Sequence, residues 1–488
     1  MAGKGYTGPL EQVGPCQWRI PKSYRDDMRV DGLIFADETL IEQVRKDQGP
    51  EQVVNVATLP GIQKASLAMP DIHWGYGFAI GGVAATDPAD GGVISPGGVG
   101  YDINCGVRLL RSNLTWDEVK PHVRKLVDQL FRDVPTGVGQ SGPYNFNKGE
   151  LARLLERGSR FVIERGHGVE RDIEFTEAHG RIDGAEPDRV SDRAYQRGAD
   201  QCGTLGSGNH FLEVQVVDRI HDEEAARVMG LHEGQITVLI HSGSRGLGYQ
   251  VCDDYLDLFR DAPRKYGFTL PDKQLACAPI HSPEGAAYLG AMRAAANYAF
   301  CNRQLLAHQA REVFARVFGR PWQDLGMDLV YDVAHNIAKF EEHDVGGGLL
   351  KPVCVHRKGA TRAFPPGHPE VPDIYRATGQ PVIIPGSMGT ASWVLAGQAG
   401  SMDLSFGTTC HGAGRMMSRT EAVRRAAGRR IDKELDAIGI IARARGQKGL
   451  AEEQPAAYKD VDQVVEVVDQ AGISKKVARL RPVGVIKG

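Results

Sequence analysis

Long hydrophobic runs are missing from this 488-residue chain. No stretch approaches the ~18 consecutive apolar residues of a membrane span. The N-terminus has neither the basic n-region nor the apolar h-region of a secretion signal, so a soluble, cytoplasmic protein is expected. Cysteine pairs are missing too. Cys16, Cys105, Cys202, Cys252, Cys277, Cys301, Cys354 and Cys410 are scattered with no Cys-x-x-Cys among them, the usage of reduced intracellular thiols rather than of a disulfide framework. There is no strong charge imbalance: 58 Lys and Arg against 61 Asp and Glu give a net charge of −3. That neither requires nor excludes nucleic acid, because the electrostatic footprint of a binding face is local. No repeat of fixed period and no low-complexity linker divides the chain.

Common nucleotide-handling motifs are also absent. No GxxxxGK[ST] stretch occurs, which removes a P-loop, and GTLGSG at 203–208 does not fit GxGxxG. Ligases that adenylate a lysine carry a Lys-x-Asp-Gly core. The nearest sequences here, RVDG at 29–32 and RIDG at 181–184, have arginine in the lysine position. Arginine stays protonated and cannot be that nucleophile. A nucleotidyl group carried covalently must sit on another side chain.

What is present is the composition of a globular enzyme, 42% hydrophobic and 24% charged, with 60 glycines gathered in short blocks beside polar residues. Length alone suggests two or three units, with residues 133–150 (DVPTGVGQSGPYNFNKGE) as the best break. Helical spacing predicts helices over about 150–165, 285–318 and 419–437. Short β-branched or apolar runs predict strands at 52–58, 80–85, 105–111, 211–217, 236–241, 328–333 and 381–385. Several of these runs end at polar, glycine-rich segments, as in ITVLIHSGSRG, LVYDVAHNIAK and VIIPGSMG. A strand end holds its last side chains firmly while the following loop admits ligand. The candidate residues come from segments far apart in sequence, which argues for one composite site and against separable domains.

In GGVGYDINCGVRLL (97–110), Asp102 and Cys105 stand three residues apart. A disulfide, a buried thiol, a nucleophile and a metal site are all open readings. Four histidines share similar settings: His210 in GTLGSGNHFLEVQ, His241 in LIHSGSRG, His335 in VAHNIAK and His411 in GTTCHGAG. A lone histidine is most often structural, and His122, His167, His221, His232 and His308 are read that way. His73, in MPDIHWGYGFAIGG, has weaker support. Imidazoles with a thiolate and a carboxylate make a mixed donor set that suits Zn²⁺ or Mn²⁺, and spacing does not separate the two. A neutral imidazole can attack an α-phosphate, and His411 has glycines beside it for a phosphate to approach. Cys410 is the rival nucleophile, or a buried inert thiol. Basic residues gather at Arg357, Lys358 and Arg362, and from Arg415 to Arg430. Arg415 and Arg419, near His411, are placed to meet phosphate, with Arg245 and Lys358 as further candidates.

The segments GGVGYDINCGVR, GTLGSGNHFLEVQ, HSGSRGLG, YDVAHNIAK, PGSMGTASW and SFGTTCHGAGR resemble those of the RtcB family of RNA-splicing ligases. The likeness runs from MPDIHWGYGFAIGG at 69–82 to VGVIKG at 483–488. It implies an α+β fold: one large mixed domain over 1–488, with sheets around a composite metal and nucleotide site and helices on the flanks. It implies a GTP- and Mn²⁺-dependent ligase that joins RNA 3′-phosphate or 2′,3′-cyclic phosphate ends to 5′-hydroxyl ends through a guanylylated histidine, in tRNA splicing or RNA repair. By the match, that histidine is His411. The metal ligands of two ions fall on Asp102, Cys105, His210, His241 and His335, with Cys105 bridging. Nucleotide contacts fall on Asn209, Glu213, Asn336, Ser387, Ser392, Gly414, Tyr458 and Lys487. Without the match, Lys487 would read as an idle residue beside a C-terminus. A monomer is expected, with archease as a further implied partner. Two other classes stay open on the residues themselves: a metal-dependent phosphoesterase that uses no nucleotide, and a nucleic-acid-binding protein with a structural metal.

Overall fold

Runs that are apolar along their whole length need cover on both faces. The centre of Gln235–Ser242 (QITVLIHS) is close to such a run, and the whole strand is buried, its polar residues included. It lies inside an eight-stranded sheet of the computed structural model, which describes residues 5–488. The strand order is Leu329–Ala334, Gly106–Thr115, Gln235–Ser242, Phe211–Ile220, Ser474–Lys487, Ser392–Gly397 and Pro381–Ile384, with every neighbouring pair antiparallel. Ile441–Ala444 adds to the far end of Ser474–Lys487 in parallel.

A seven-stranded sheet runs Glu11–Gly14, Gln17–Ile20, Asp31–Phe35, Ala65–His73, Ile80–Thr86, Leu350–Lys358 and Asn336–Asp344. Its one parallel pair joins Asp31–Phe35 to Ala65–His73, and the crossover carries the helices Glu38–Val44 and Gly49–Val56. One core forms against the eight-stranded sheet, where Leu109 and Leu239 meet Leu306 and Phe314. A second packs Ile34, Phe35 and Leu67 against Val464 and Val468 of the helix Val461–Gln470.

The helix Pro283–Phe318 begins at Ser282, whose side chain accepts from the Gly285 N–H, with proline in the first turn. It is buried on nearly every side, and its alanines let neighbouring backbone come close. Arg303 on this helix donates to the carbonyls of Asn104 (2.6 Å) and Ser242 (3.1 Å) and pairs with buried Asp332. It thereby ties together the two strand ends that carry Cys105 and His241.

Three expectations need correction. Residues 52–58 are not a strand: Gly49–Val56 is a helix with Pro50 in its first turn, and Val53, Val54 and Val56 are buried. The expected helix at 150–165 breaks at Gly158 into Lys148–Arg157 and Ser159–Ile163. The one at 419–437 divides into Arg419–Arg425 and Ile431–Ala437. The segment 133–150 is stitched down rather than free, since Thr136 bridges to Gly206 and the Gly142 N–H donates to the Asp200 carbonyl at 2.6 Å. No helix among the described residues is long and apolar enough to cross a membrane.

Candidate active site

The register of the eight-stranded sheet gathers the donors. His335 follows Leu329–Ala334, Cys105 precedes Gly106–Thr115, His241 is the penultimate residue of Gln235–Ser242, and His210 precedes Phe211–Ile220. Ala334 pairs with Gly106, Val107 with His241, and His241 with Phe211. Strands that are neighbours in space thus deliver all four side chains to one end of the sheet.

Cys105 Sγ lies 3.4 Å from His210 Nε2 and 3.3 Å from His241 Nε2. His241 Nε2 is 3.2 Å from His335 Nε2, and His210 Nε2 is 2.8 Å from Asp102 Oδ2. Two donor groups result, Asp102/Cys105/His210 and Cys105/His241/His335, which share Cys105. His210 Nδ1 sits 2.9 Å from the Leu205 carbonyl. That contact points Nε2 at the Asp102 carboxylate and the Cys105 sulfur, so imidazole nitrogen, carboxylate and sulfur converge on one point. This mixed donor set suits a divalent cation, and fixing the ring through its other nitrogen is how metal-binding histidines are held. Burial, helped by neighbouring imidazoles, pushes His241 and His335 well below the usual histidine range. Both rings are neutral and free to donate. The residues fit a metal.

Asp102 is held in place by the Ser244 N–H, which donates to Oδ1 at 2.9 Å. Burial opposes its ionisation, but His210 and Arg245 outweigh burial and hold it below the usual carboxylate range. Asn336 donates to the Asp102 carbonyl at 3.1 Å and accepts from the Gly359 N–H at 2.8 Å.

His411 follows the short strand Thr408–Cys410, and its ring centroid lies 4.9 Å from that of His335. Its Nδ1 is 2.5 Å from Asp71 Oδ2, which also accepts the N–H groups of His411 (3.0 Å) and Gly412 (3.3 Å). Asp71 is fully buried. Burial raises its proton affinity, but His411 and Lys459 outweigh that and keep it ionised. A carboxylate on Nδ1–H leaves the lone pair on Nε2. Asp71 comes from an irregular stretch of Ala65–His73, where pairing shifts between Ala68 and His73. Buried Lys459 donates to the Pro70 (3.0 Å) and Ile72 (2.6 Å) carbonyls on either side. Gly414, at φ +76°, passes so near that a Cβ there would lie 2.4 Å from the Asp71 carbonyl oxygen.

These groups open on a cavity of about 720 Å³, within the usual size range of small-molecule sites. Asp102, Cys105, His241, His335, His411, Asn209, Glu213, Asn336, Ser387, Gly414, Tyr458, Lys487, Lys358, Arg415 and Arg419 line it. His210 stands behind Asp102. Ser392 and Arg245 are not on the wall: Ser392 accepts from Gln215 (3.0 Å), and Arg245 donates to Thr204 (3.2 Å). Lys487 ends Ser474–Lys487, pairs in register with Phe211 and is buried. Arg415 donates to Glu453 (3.0 Å) and Tyr458 (3.2 Å), so its charge is already partnered. Arg357 and Arg362 form no basic surface. Both are buried, Arg357 in a fork with Glu341 and Arg362 beside Glu177. Cys410 is also buried, and burial beside Asp71 pushes its thiol well up.

The family model described as "tRNA-splicing ligase RtcB" matches residues 52–488. The chain belongs to the RtcB family. Among RtcB relatives, the tRNA-splicing ligase RtcB of Thermococcus kodakarensis is 56% identical over 480 residues, 98% of this chain and 99% of that protein. That of Archaeoglobus fulgidus is 56% identical over 481 residues, 99% of each chain. The RNA-splicing ligase RtcB of Mycobacterium tuberculosis is 55% identical over 439 residues, 90% of this chain and 100% of its own length. The mixed α/β architecture agrees with the fold the RtcB resemblance implies. Sequence reading missed Asp71, Lys459 and Glu453. The only signal for Asp71 was an acidic residue set inside the apolar run SLAMPDIHWG.

Proposed function

We propose that this chain is an RNA ligase that uses GTP and manganese to join a 3′-phosphate or 2′,3′-cyclic phosphate end to a 5′-hydroxyl end. The observation that carries the reading is His411, with Nδ1 committed to Asp71 and Nε2 left for the cavity. Nε2 attacks the α-phosphorus of GTP, the N–P bond forms, and the bond to pyrophosphate breaks. Asp71 stabilises the charge that builds on the ring, a positioning role. At a cyclic end, water first attacks phosphorus and the bond to O2′ breaks, leaving a 3′-phosphate; the nucleotidyl group then passes from His411 to the RNA 3′-phosphate. The 5′-hydroxyl attacks the activated phosphorus and GMP leaves. Buried Glu213, Ser387 and Lys487, with part-buried Asn209 and Tyr458, offer polar groups for the nucleotide. Two divalent cations held by Asp102, Cys105 and His210 and by Cys105, His241 and His335 would neutralise phosphate charge and orient the reacting oxygens. The names borne by the 50–56% identical relatives support the ligase reading.

The protein incubated with Mn²⁺ and α-labelled GTP, then denatured, is expected to carry acid-labile, base-stable label. The same preparation is expected to join RNA with 3′-phosphate and 5′-hydroxyl ends. Unlabelled wild type, or label persisting in His411→Ala, would sink the mechanism. A nucleotide-free phosphoesterase would show no label, and a structural-metal protein would neither consume GTP nor join ends.

A further inference from the structure

Three tyrosines run in contact from the cavity wall to the surface. Tyr76 and Tyr101 line the cavity, and their rings meet edge to face with centroids 5.5 Å apart. Tyr101 stacks on Tyr249 at 4.7 Å, with 27° between the ring planes. Tyr249 is 45% exposed, and the Arg197 guanidinium lies over its ring at 5.0 Å. Trp74, also on the cavity wall, is 56% exposed. Single exposed aromatics are ordinary, but a connected row leading out of a cavity marks an interaction site.

The row is fixed to the elements around the cavity. Gln52 grips Gly75, between Trp74 and Tyr76, with both halves of its amide: Nε2 donates to the Gly75 carbonyl (2.6 Å) and Oε1 accepts its N–H (2.9 Å). Gly77, at φ +71°, allows no side chain, since a Cβ would meet the Gln274 carbonyl oxygen at 2.4 Å. Lys358 donates to the Tyr76 carbonyl. Tyr101 adjoins Asp102 in sequence, and Tyr249 lies one turn beyond Arg245 on the helix Arg245–Leu258.

The chemistry on offer is flat π surface with one uncommitted cation. Arg197 donates to Gln250 at 3.0 Å and forms no ion pair among the described residues. An unstacked nucleobase has a π face to lay on such rings, and its phosphate suits the guanidinium. A base inside a duplex has neither face free. We propose that the Tyr101–Tyr249 stack with Arg197 is a subsite for an unpaired nucleotide of single-stranded RNA near the reacting end. The inference rests on the RNA-ligase reading above. The subsite favours frayed or single-stranded ends over paired ones and tolerates any base, because every base has a π face.

The test measures binding of short single-stranded RNAs, one ending in a 3′-phosphate and one beginning with a 5′-hydroxyl, to metal-loaded full-length protein by fluorescence anisotropy. Tyr249→Leu, which keeps apolar bulk against Tyr101 but removes the π face, is expected to weaken one of the two RNAs about tenfold. Tyr249→Phe should stay within about twofold of wild type, and Arg197→Ala should weaken the same RNA. An abasic residue moved along the first four nucleotides from each end is expected to weaken wild type at one position. At that position it should leave Tyr249→Leu no weaker than it already is. The strand in which this coupling occurs tells which end lies on the tyrosines. The idea is overturned if no abasic position matters to wild type, or if every one weakens wild type and Tyr249→Leu equally. Labelling of His411 by GTP needs no RNA, so failure of the ligase reading shows there separately.

Discussion

Glu213 sits fully buried on the cavity wall, and burial pushes its carboxyl up to about 8, with Gln215 and Lys487 pulling only part of the way back. It is therefore a protonated acid at neutral pH, able to donate as well as accept. Asp71, fully buried, and Asp102, part-buried, stay ionised because cationic or protonatable partners touch them. The difference has a sign that can be checked. A carboxyl with a raised folded-state pKa lends stability that is fully present below its ordinary value of 4.5 and is lost as pH rises through about 8. Glu213→Gln removes that titration. Its unfolding midpoint relative to wild type is expected to rise from pH 5 to about pH 8 and level off above it, and a pH-independent difference would contradict the assignment. His411 was legible as a candidate nucleophile from its glycine-flanked motif. Asp71 was not, because its function depends on a contact 340 residues away in sequence.

Elements place these side chains with different degrees of transparency. Strand ends could be read because apolar runs such as ITVLIHS stop abruptly at polar glycine-rich loops. The run at 52–58 misled because its valines suit a strand, whereas Pro50 starts a helix and packing buries most of it. The irregularity in Ala65–His73 that aims Asp71 leaves no periodic trace either. It is secured by Lys459, whose ammonium burial lowers to about 8 while it holds the carbonyls of Pro70 and Ile72. Lys459→Met is expected to cost about 1–3 kcal/mol for each carbonyl left unpaired. It should also slow His411 labelling at saturating GTP, with the GTP concentration needed for half-maximal rate little changed. A normal labelling rate in a destabilised variant would make Lys459 purely structural.

At the scale of the whole molecule, the two sheets divide the work. The eight-stranded sheet brings the candidate metal donors with Glu213 and Lys487, and the seven-stranded sheet brings Asp71, Asn336 and Lys358. Potential ligand atoms from separate strands crowd around Cys105, so a bound cation should hold those strand ends together. Mn²⁺ is expected to raise the unfolding midpoint of chelator-treated protein. The gain approaches about 2.7 kcal/mol when free metal reaches a hundred times its Kd. Cys105→Ala, which removes the donor shared by both groups, should blunt most of that shift. An unmoved wild-type midpoint, or an equal shift in the variant, would count against the shared site.

By itself the sequence determined the chemistry available: which histidines, thiol and carboxylate stand at strand ends, where nucleotide motifs are lacking, and which family the long motifs match. Those properties are local, set by residue type and by neighbours within a few positions. Tertiary structure alone decided the rest. It placed Cys105 between two donor groups, turned Asp71 onto His411, sent Arg357 and Arg362 into the core, and lined Tyr76, Tyr101 and Tyr249 along one path. Each of these depends on pairing register and on packing between segments tens to hundreds of residues apart. Neither is written in any short stretch of the chain.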